Sequence, residues 1–426
     1  MALCLLLTFA DTFAQGEYRE VSGVYVGGHI RRERPGTITK LRNSGFTYVI
    51  LFNVHVTADG TLTTDGDTIC HKGQYVFGNK HPHYQEDVAN LKTEPTSITR
   101  VEICIGGWGN DAYTNIKNLI NSKGTSSNTM LYRNFRALKK AVPEIDAVNN
   151  DIEQDYDVNT GAQFHIMMDK LGYKTTLAPY TYKSYWTSLN DQIRASRPNA
   201  VDRVMIQCYD GGAGNVNSVG TWNFNGVTER HAGLLYYSND WSVDKNMEQF
   251  QKWKDDGVAT GGFVWVYNSE EWDLNAWASG MNRIYEAITV PEDQVVVKCY
   301  SEKNYKGYCV SLPVGEFSQG DLAVYGLKAK DLSSLEIVDD CYQVRLYKTP
   351  DWTGTRLLKK VSSKSLTSSF DNQVCSIIIE PNPTGIKTTD NGQEVSGNGI
   401  YNLSGQRLEK IQQGINIVNG KKIIKK

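Results

Sequence analysis

The sequence lacks a long run of basic residues before its last few positions, and its 45 Lys and Arg are offset by 47 Asp and Glu, a formal net charge of −2. A nucleic-acid partner calls for an extended cationic face, so no nucleic acid is expected. There is no Cys-x-x-Cys and no Cys/His spacing of metal-ligand type, so the eight cysteines predict no metal site. The N-terminal apolar run, ALCLLLTFA over 2–10, is too short to cross a bilayer, and no transmembrane span is expected. It fits the hydrophobic segment of a signal peptide over 1–14, although no positively charged segment precedes it. Removing that segment leaves seven cysteines, four of them within 299–375, where any disulfides are expected. Aromatic residues are plentiful, with 24 Tyr and 9 Trp. Such rings suit sugar faces and protein cores alike.

Apolar runs with turn signals between them predict strands at 22–28, 48–56, 100–107, 144–153, 174–180, 203–210, 232–238 and 261–268. Segments such as DAYTNIKNLINS, YRNFRALKKAV and VDKNMEQFQKWKDDG read as helices between them. Eight strands alternating with helices over roughly 270 residues predict an α/β fold, a (β/α)8 TIM barrel spanning 20–289. VPEDQ (290–294) reads as a linker, and short alternating strands with Gly turns follow over 295–380. YSEKNYKG (300–307) and YKTPDWTG (347–354) repeat Tyr-x4-aromatic-x-Gly at an offset of 47 residues. The glycine supplies the positive φ that such a hairpin turn needs. This repeat resembles the Greek-key unit of the βγ-crystallins, two copies of which make one all-β domain. That family often binds calcium through an Asn/Asp-Asn/Asp-x-x-Ser/Thr-Ser loop. DNQVCS (371–376) matches it except at Cys375, making Asp371 and Asn372 candidate calcium ligands; AKDLSS (329–334) lacks both leading residues.

From residue 381 the chain turns polar and Gly-rich and ends GIYNLSGQRLEKIQQGINIVNGKKIIKK. This short β tail over 381–426 resembles the C-terminal sorting domain of the type IX secretion system of Bacteroidetes. The resemblance implies secretion or display at the cell surface, with the secretion machinery as a partner.

EIDAVNNDIEQDYD (144–157) holds six carboxylates in fourteen residues, although its first half reads as a buried strand. Buried carboxylates are costly unless paired or put to use. Residues two apart on a strand face the same way, so Asn149, Asp151 and Glu153 are expected to share the barrel interior, with Val148, Asn150 and Ile152 facing out. No Lys or Arg is evident on the neighbouring strand ends to pair with them. In such barrels catalytic groups sit at the C-terminal ends of the strands, and these carboxylates lie at the C-terminal end of the fourth. A partly desolvated carboxyl beside a like charge has a raised pKa and serves as an acid. Asp155 and Asp157 read as solvated loop charges.

DAVNNDIE (146–153) resembles the Asp-x-x-Asp-x-Asp-x-Glu signature of the family-18 glycoside hydrolases, which include chitinases and endo-β-N-acetylglucosaminidases. CIGG (104–107), QCYD (207–210) and GGFVW (261–265) resemble that family's motifs on the third, sixth and eighth strands, in order. The resemblance implies a glycosidase that cleaves next to N-acetylglucosamine, in chitin-like polymers or N-glycan cores, without a cofactor. Glu153 would be the general acid, and the substrate's own acetamido carbonyl the nucleophile. Asp151 would orient the acetamido N–H, and Tyr209 would hydrogen-bond the attacking carbonyl. Gln207 and Asp210 would shape the site around the cleaved sugar. Trp265 would form its floor, with Tyr267 as the alternative. Trp108 and Tyr180, after the third and fifth strands, are candidates to line a subsite, as is Trp222. Two positions depart from the family pattern: Asn149 replaces an Asp that shares a proton, and Cys104 replaces a Ser. The alternative reading is a lectin-like barrel that binds such glycans with little or no turnover.

Overall fold

A computed structural model describes residues 18–32, 35–236, 242–268, 272–382, 400–401, 407–410, 412–418 and 421–425. The expected signal segment lies outside the described residues. Eight parallel strands form the first domain: β1 (Ser22–Val26), β2 (Tyr48–Val56), β3 (Arg100–Gly106), β4 (Ile145–Asp151), β5 (Lys174–Leu177), β6 (Val201–Gln207), β7 (Glu229–Leu235) and β8 (Gly261–Tyr267). Each pairs with its sequence neighbours, and β1 pairs with both β2 and β8, so the sheet closes into a barrel.

Both faces of these strands are buried, which is why they read as nearly continuous apolar runs. Along β2, Val49 and Leu51 join the layer between barrel and helices, while Tyr48 and Ile50 join the interior with Tyr25, Cys104, Met205 and Phe263. The helices expected from their spacing are Ala112–Lys123, Met130–Ala141 and Val243–Asp255. The β6–β7 crossover differs: its described residues hold only the 3-10 turns Asp210–Asn217 and Val219–Thr221. Between β2 and β3 the chain makes an excursion of three short antiparallel strands, Leu62–Thr64, Asp67–His71 and Gln74–Tyr75.

The second domain has two antiparallel sheets. Val297–Glu302 lies between Lys306–Leu312 and Ser334–Ile337; Ser376–Pro381 and Tyr342–Tyr347 lie inside Gly315–Phe317 and Arg356–Lys359. One apolar core joins them, including Val297, Leu335, Leu346 and Ile377. The internal repeat is visible in detail. Tyr305 and Trp352 both take left-handed φ (61° and 59°), each two residues before a glycine at φ 76°. Their backbone N–H groups donate to Ser334 Oγ (3.0 Å) and Ser376 Oγ (3.1 Å) respectively.

The domains pack closely where helix Leu274–Tyr285 meets the chain leading into β2. Buried Asn282 donates to Gly45 O (2.8 Å) and to Ala323 O of the second domain (3.0 Å), and accepts from Ser22 Oγ (2.6 Å). A Cβ on Gly45 would sit 2.3 Å from Ala323 Cβ, and one on Gly326 would sit 2.7 Å from Arg283 Cβ. The C-terminal stretch adds a four-stranded antiparallel sheet, Ile400–Tyr401, Arg407–Leu408, Gly414–Val418 and Lys421–Lys425. No disulfide is formed among the seven described cysteines, within 299–375 or elsewhere. No helix among the described residues is long and apolar enough to cross a membrane.

Candidate active site

The end of β4 is shaped by the glycines at the end of β3. Gly106 pairs with Asp151 at φ 108°, and a Cβ there would lie 2.2 Å from the Asp151 carbonyl oxygen. Gly107 N–H donates to that oxygen at 2.7 Å. Two side-chain-free residues thus let the loop after β3 close against Asp151.

Asp151 is 5% exposed. Its Oδ1 accepts from Gln207 Nε2 at 2.7 Å, and its Oδ2 lies 4.0 Å from Cys104 Sγ. The second hydrogen of the Gln207 amide goes to Ala178 O at 2.9 Å, so Gln207 holds Asp151 from the end of β6. Burial first, and the charge of Glu153 second, push the Asp151 pKa up to about 7, against the Gln207 bond that lowers it. Glu153 lies past the strand, which ends at Asp151 rather than at 153 as the alternation predicts. It is half-buried, and its pKa is raised by desolvation, lowered by the adjacent Tyr180 hydroxyl and raised by Asp210. Neither carboxyl has an ion-pair partner among the described residues.

Tyr209 (7% exposed) stacks at 16° on Trp265, ring centroids 6.3 Å apart. Its pKa is driven well up by burial, so it carries its proton at neutral pH. Phe52 and Tyr25 brace Trp265 edge-on, at 4.7 and 5.0 Å. Trp265 is half-buried at the top of this cluster, whereas Tyr267 is fully buried in the layer facing the helices. The register of β8 against β1 shifts between Val24 and Val26, so Tyr267 does not share the face of Trp265, and Tyr267 is corrected to an outer core residue. Asp210 is exposed at φ 46° and opens the turn after β6. Tyr180 follows β5 and covers Gly211, where a Cβ would meet its ring at 2.9 Å. Trp108 stands on the loop after β3, 91% exposed. Trp222 is 2% exposed and donates to Asn215 Oδ1, a core position rather than a subsite.

Asn149 is inside the barrel, and its hydrogen bonds go to residues other than Asp151. Its Oδ1 accepts from Tyr25 OH (3.0 Å), and its Nδ2 donates to Glu102 Oε2 (3.2 Å). Glu102 was not singled out in the sequence, although it alternates with Arg100 on β3. It is fully buried, accepting from Arg100 Nε (2.7 Å) and Thr176 Oγ1 (2.9 Å). The barrel's cations, Arg100 and Arg203, thus serve Glu102 and its neighbours Asp202 and Glu20.

Three other acids of the 144–157 stretch have structural partners. Asp157 caps helix Val158–Lys170 through Thr160 N–H (2.8 Å). Asp155 accepts from Thr114, and Asp146 pairs with Lys92 at 2.8 Å. In the second domain Asp371 pairs with Lys303 (2.9 Å), and Asn372 Oδ1 accepts from Ser333 Oγ (3.1 Å). A cation at that loop would have to compete with the Lys303 ammonium.

No family profile and no curated protein matches the chain. Solved structures do, over about a fifth of its length. A βγ-crystallin domain from Flavobacterium johnsoniae is 28% identical, with TM-score 0.21, covering 21% of this chain and 99% of that one. A βγ-crystallin domain from Clostridium beijerinckii is 23% identical (TM-score 0.19; 20% and 95% covered). The N-terminal domain of protein S is 22% identical (TM-score 0.19; 20% and 96% covered).

Proposed function

We propose that the barrel is a (β/α)8 domain of the family-18 glycoside hydrolase type. It cleaves β-1,4 linkages next to N-acetylglucosamine in chitin-like polymers or N-glycan cores. The observation that carries this reading is the Asp151–Glu153 pair: two carboxyls at one strand end, both with raised pKa, beside Tyr209 and an indole floor. Protonated Glu153 donates to the glycosidic oxygen as the C1–O bond breaks. The acetamido carbonyl attacks C1 from the other face, held by the Tyr209 hydroxyl, and forms an oxazolinium ion. Asp151 accepts the acetamido N–H and balances the positive charge. Ionised Glu153 then takes a proton from the water that opens the ring, with net retention. Gln207 keeps Asp151 in place during both steps.

One observation favours the alternative, a glycan-binding barrel with little turnover. Asn149 is committed to Glu102 and Tyr25 and offers Asp151 no proton to share. The second domain is read as βγ-crystallin-like. Export by the type IX route, to the medium or the cell surface, rests on the sequence over 399–426 alone.

Rates on N-acetylglucosamine oligomers and on the same oligomers stripped of acetyl groups test the mechanism. Cleavage confined to the acetylated set is expected; equal rates would exclude substrate assistance.

A further inference from the structure

Beside Asp151 the loop after β3 gathers three side chains to which the proposed mechanism assigns no role. Asn53 Nδ2 donates to Gly106 O at 2.7 Å. Asn110 Oδ1 accepts from Ala112 N–H at 2.8 Å, which fixes that amide and turns its Nδ2 toward Gly106 O (3.0 Å) and His55 Nδ1 (2.7 Å). His55 Nδ1 is therefore an acceptor, and the ring proton sits on Nε2. Gln154 Nε2 donates to Asn110 O (2.8 Å) and Asp111 Oδ1 (3.0 Å). In each case one end is fixed by a partner of known polarity, so the other end is defined. Asn53 Oδ1 and Gln154 Oε1 are acceptors and His55 Nε2–H is a donor. None of the three has a partner among the described residues, and none is buried.

We propose that Asn53, His55 and Gln154 form a hydroxyl-recognition shelf for the neutral saccharide unit adjoining the one over Trp265. This rests on the glycosidase reading of the same face. One fixed donor and two fixed acceptors complement vicinal sugar hydroxyls, each of which donates once and accepts. The acids nearby are Asp111, Asp151, Glu153 and Asp155, and the two cations are already paired, Lys117 to Asp155 at 3.6 Å and Arg31, beside Asn53, to Asp65 at 2.5 Å, so an anionic ligand is disfavoured. The loop pins these groups before binding, which removes the ordering cost that weakens flexible polar contacts.

The test measures calorimetric binding of chitotetraose and of a high-mannose N-glycan to Glu153→Gln protein, alone and with His55→Ala or His55→Gln added. The shelf predicts roughly tenfold weaker binding with His55→Ala, the size of one lost hydrogen bond. It also predicts recovery with His55→Gln, whose amide N–H replaces Nε2–H, at unchanged melting temperature. Equal binding by Glu153→Gln with and without His55→Ala overturns the shelf and leaves the site reading standing. Failure of Glu153→Gln to bind either glycan overturns the site reading and the shelf with it.

Discussion

At the residue scale the site turns on where protons reside. Asp151 ionises in the folded protein near pH 7 rather than at its ordinary 3.8, because burial and Glu153 oppose its charge. Between those values the folded state binds the proton more tightly than the unfolded state does. The carboxyl's contribution to stability is thus intact below its unfolded pKa and is lost as pH rises through about 7. Asp151→Asn has no charge to desolvate. Its stability relative to wild type should improve from pH 4 to pH 8, by on the order of a few kcal/mol. Thermal melts of both proteins across that range read this directly; a difference that does not vary with pH would contradict it. The sequence indicated that Asp151 faces inward. It did not show that Asn149 belongs to a different network. That depends on Glu102 and Tyr25, which lie on other strands, and pairing across a barrel leaves no local spacing to read.

At the scale of elements, the glycines of β3 are the piece most exposed to test. Gly106→Ala places a methyl against the Asp151 carbonyl at a φ of 108°, which L side chains rarely adopt. Such strain costs on the order of 1–3 kcal/mol, and relief requires the β3 loop to withdraw from Asp151. The variant should melt earlier and lose glycan binding; a wild-type melting curve with full binding would show that the loop position is not fixed by this contact. Apolar runs and flanking turns located all eight barrel strands, because most are rich in apolar residues and buried on both faces. Element ends were less legible. β4 stops two residues early, and β7 starts at Glu229, ahead of the apolar residues that mark it. The excursion at 62–75 was missed because its strands are two to five residues long and mostly polar. Trp265 and Tyr267 could not be separated by pattern, since both are large and lie near one strand end. Burial distinguishes them.

At the scale of the whole molecule, the second domain is more than an appended module. Asn282 ties β1, the chain entering β2 and the second domain together, and glycines on both sides allow the backbones to touch. The two domains should therefore unfold in one calorimetric transition. Asn282→Ala leaves three buried polar groups without their partner, at about 1–3 kcal/mol each, and should lower that single transition. Two well-separated transitions in the wild-type protein would contradict the coupling. The docking region lies near the N-terminal ends of β1 and β2, away from the strand ends that carry Asp151 and Glu153. The second domain thus packs against the barrel away from Asp151 and Glu153. The central claim is that Asp151 and Glu153 perform acid catalysis on an acetamido sugar. It is tested most directly by hydrolysis of chitooligosaccharides and of a high-mannose N-glycoprotein by wild-type and Glu153→Gln proteins. The account predicts cleavage of at least one by wild type and a loss of roughly a hundredfold or more in the variant. Binding of these glycans by both proteins with no cleavage by wild type would contradict it and establish the barrel as a lectin.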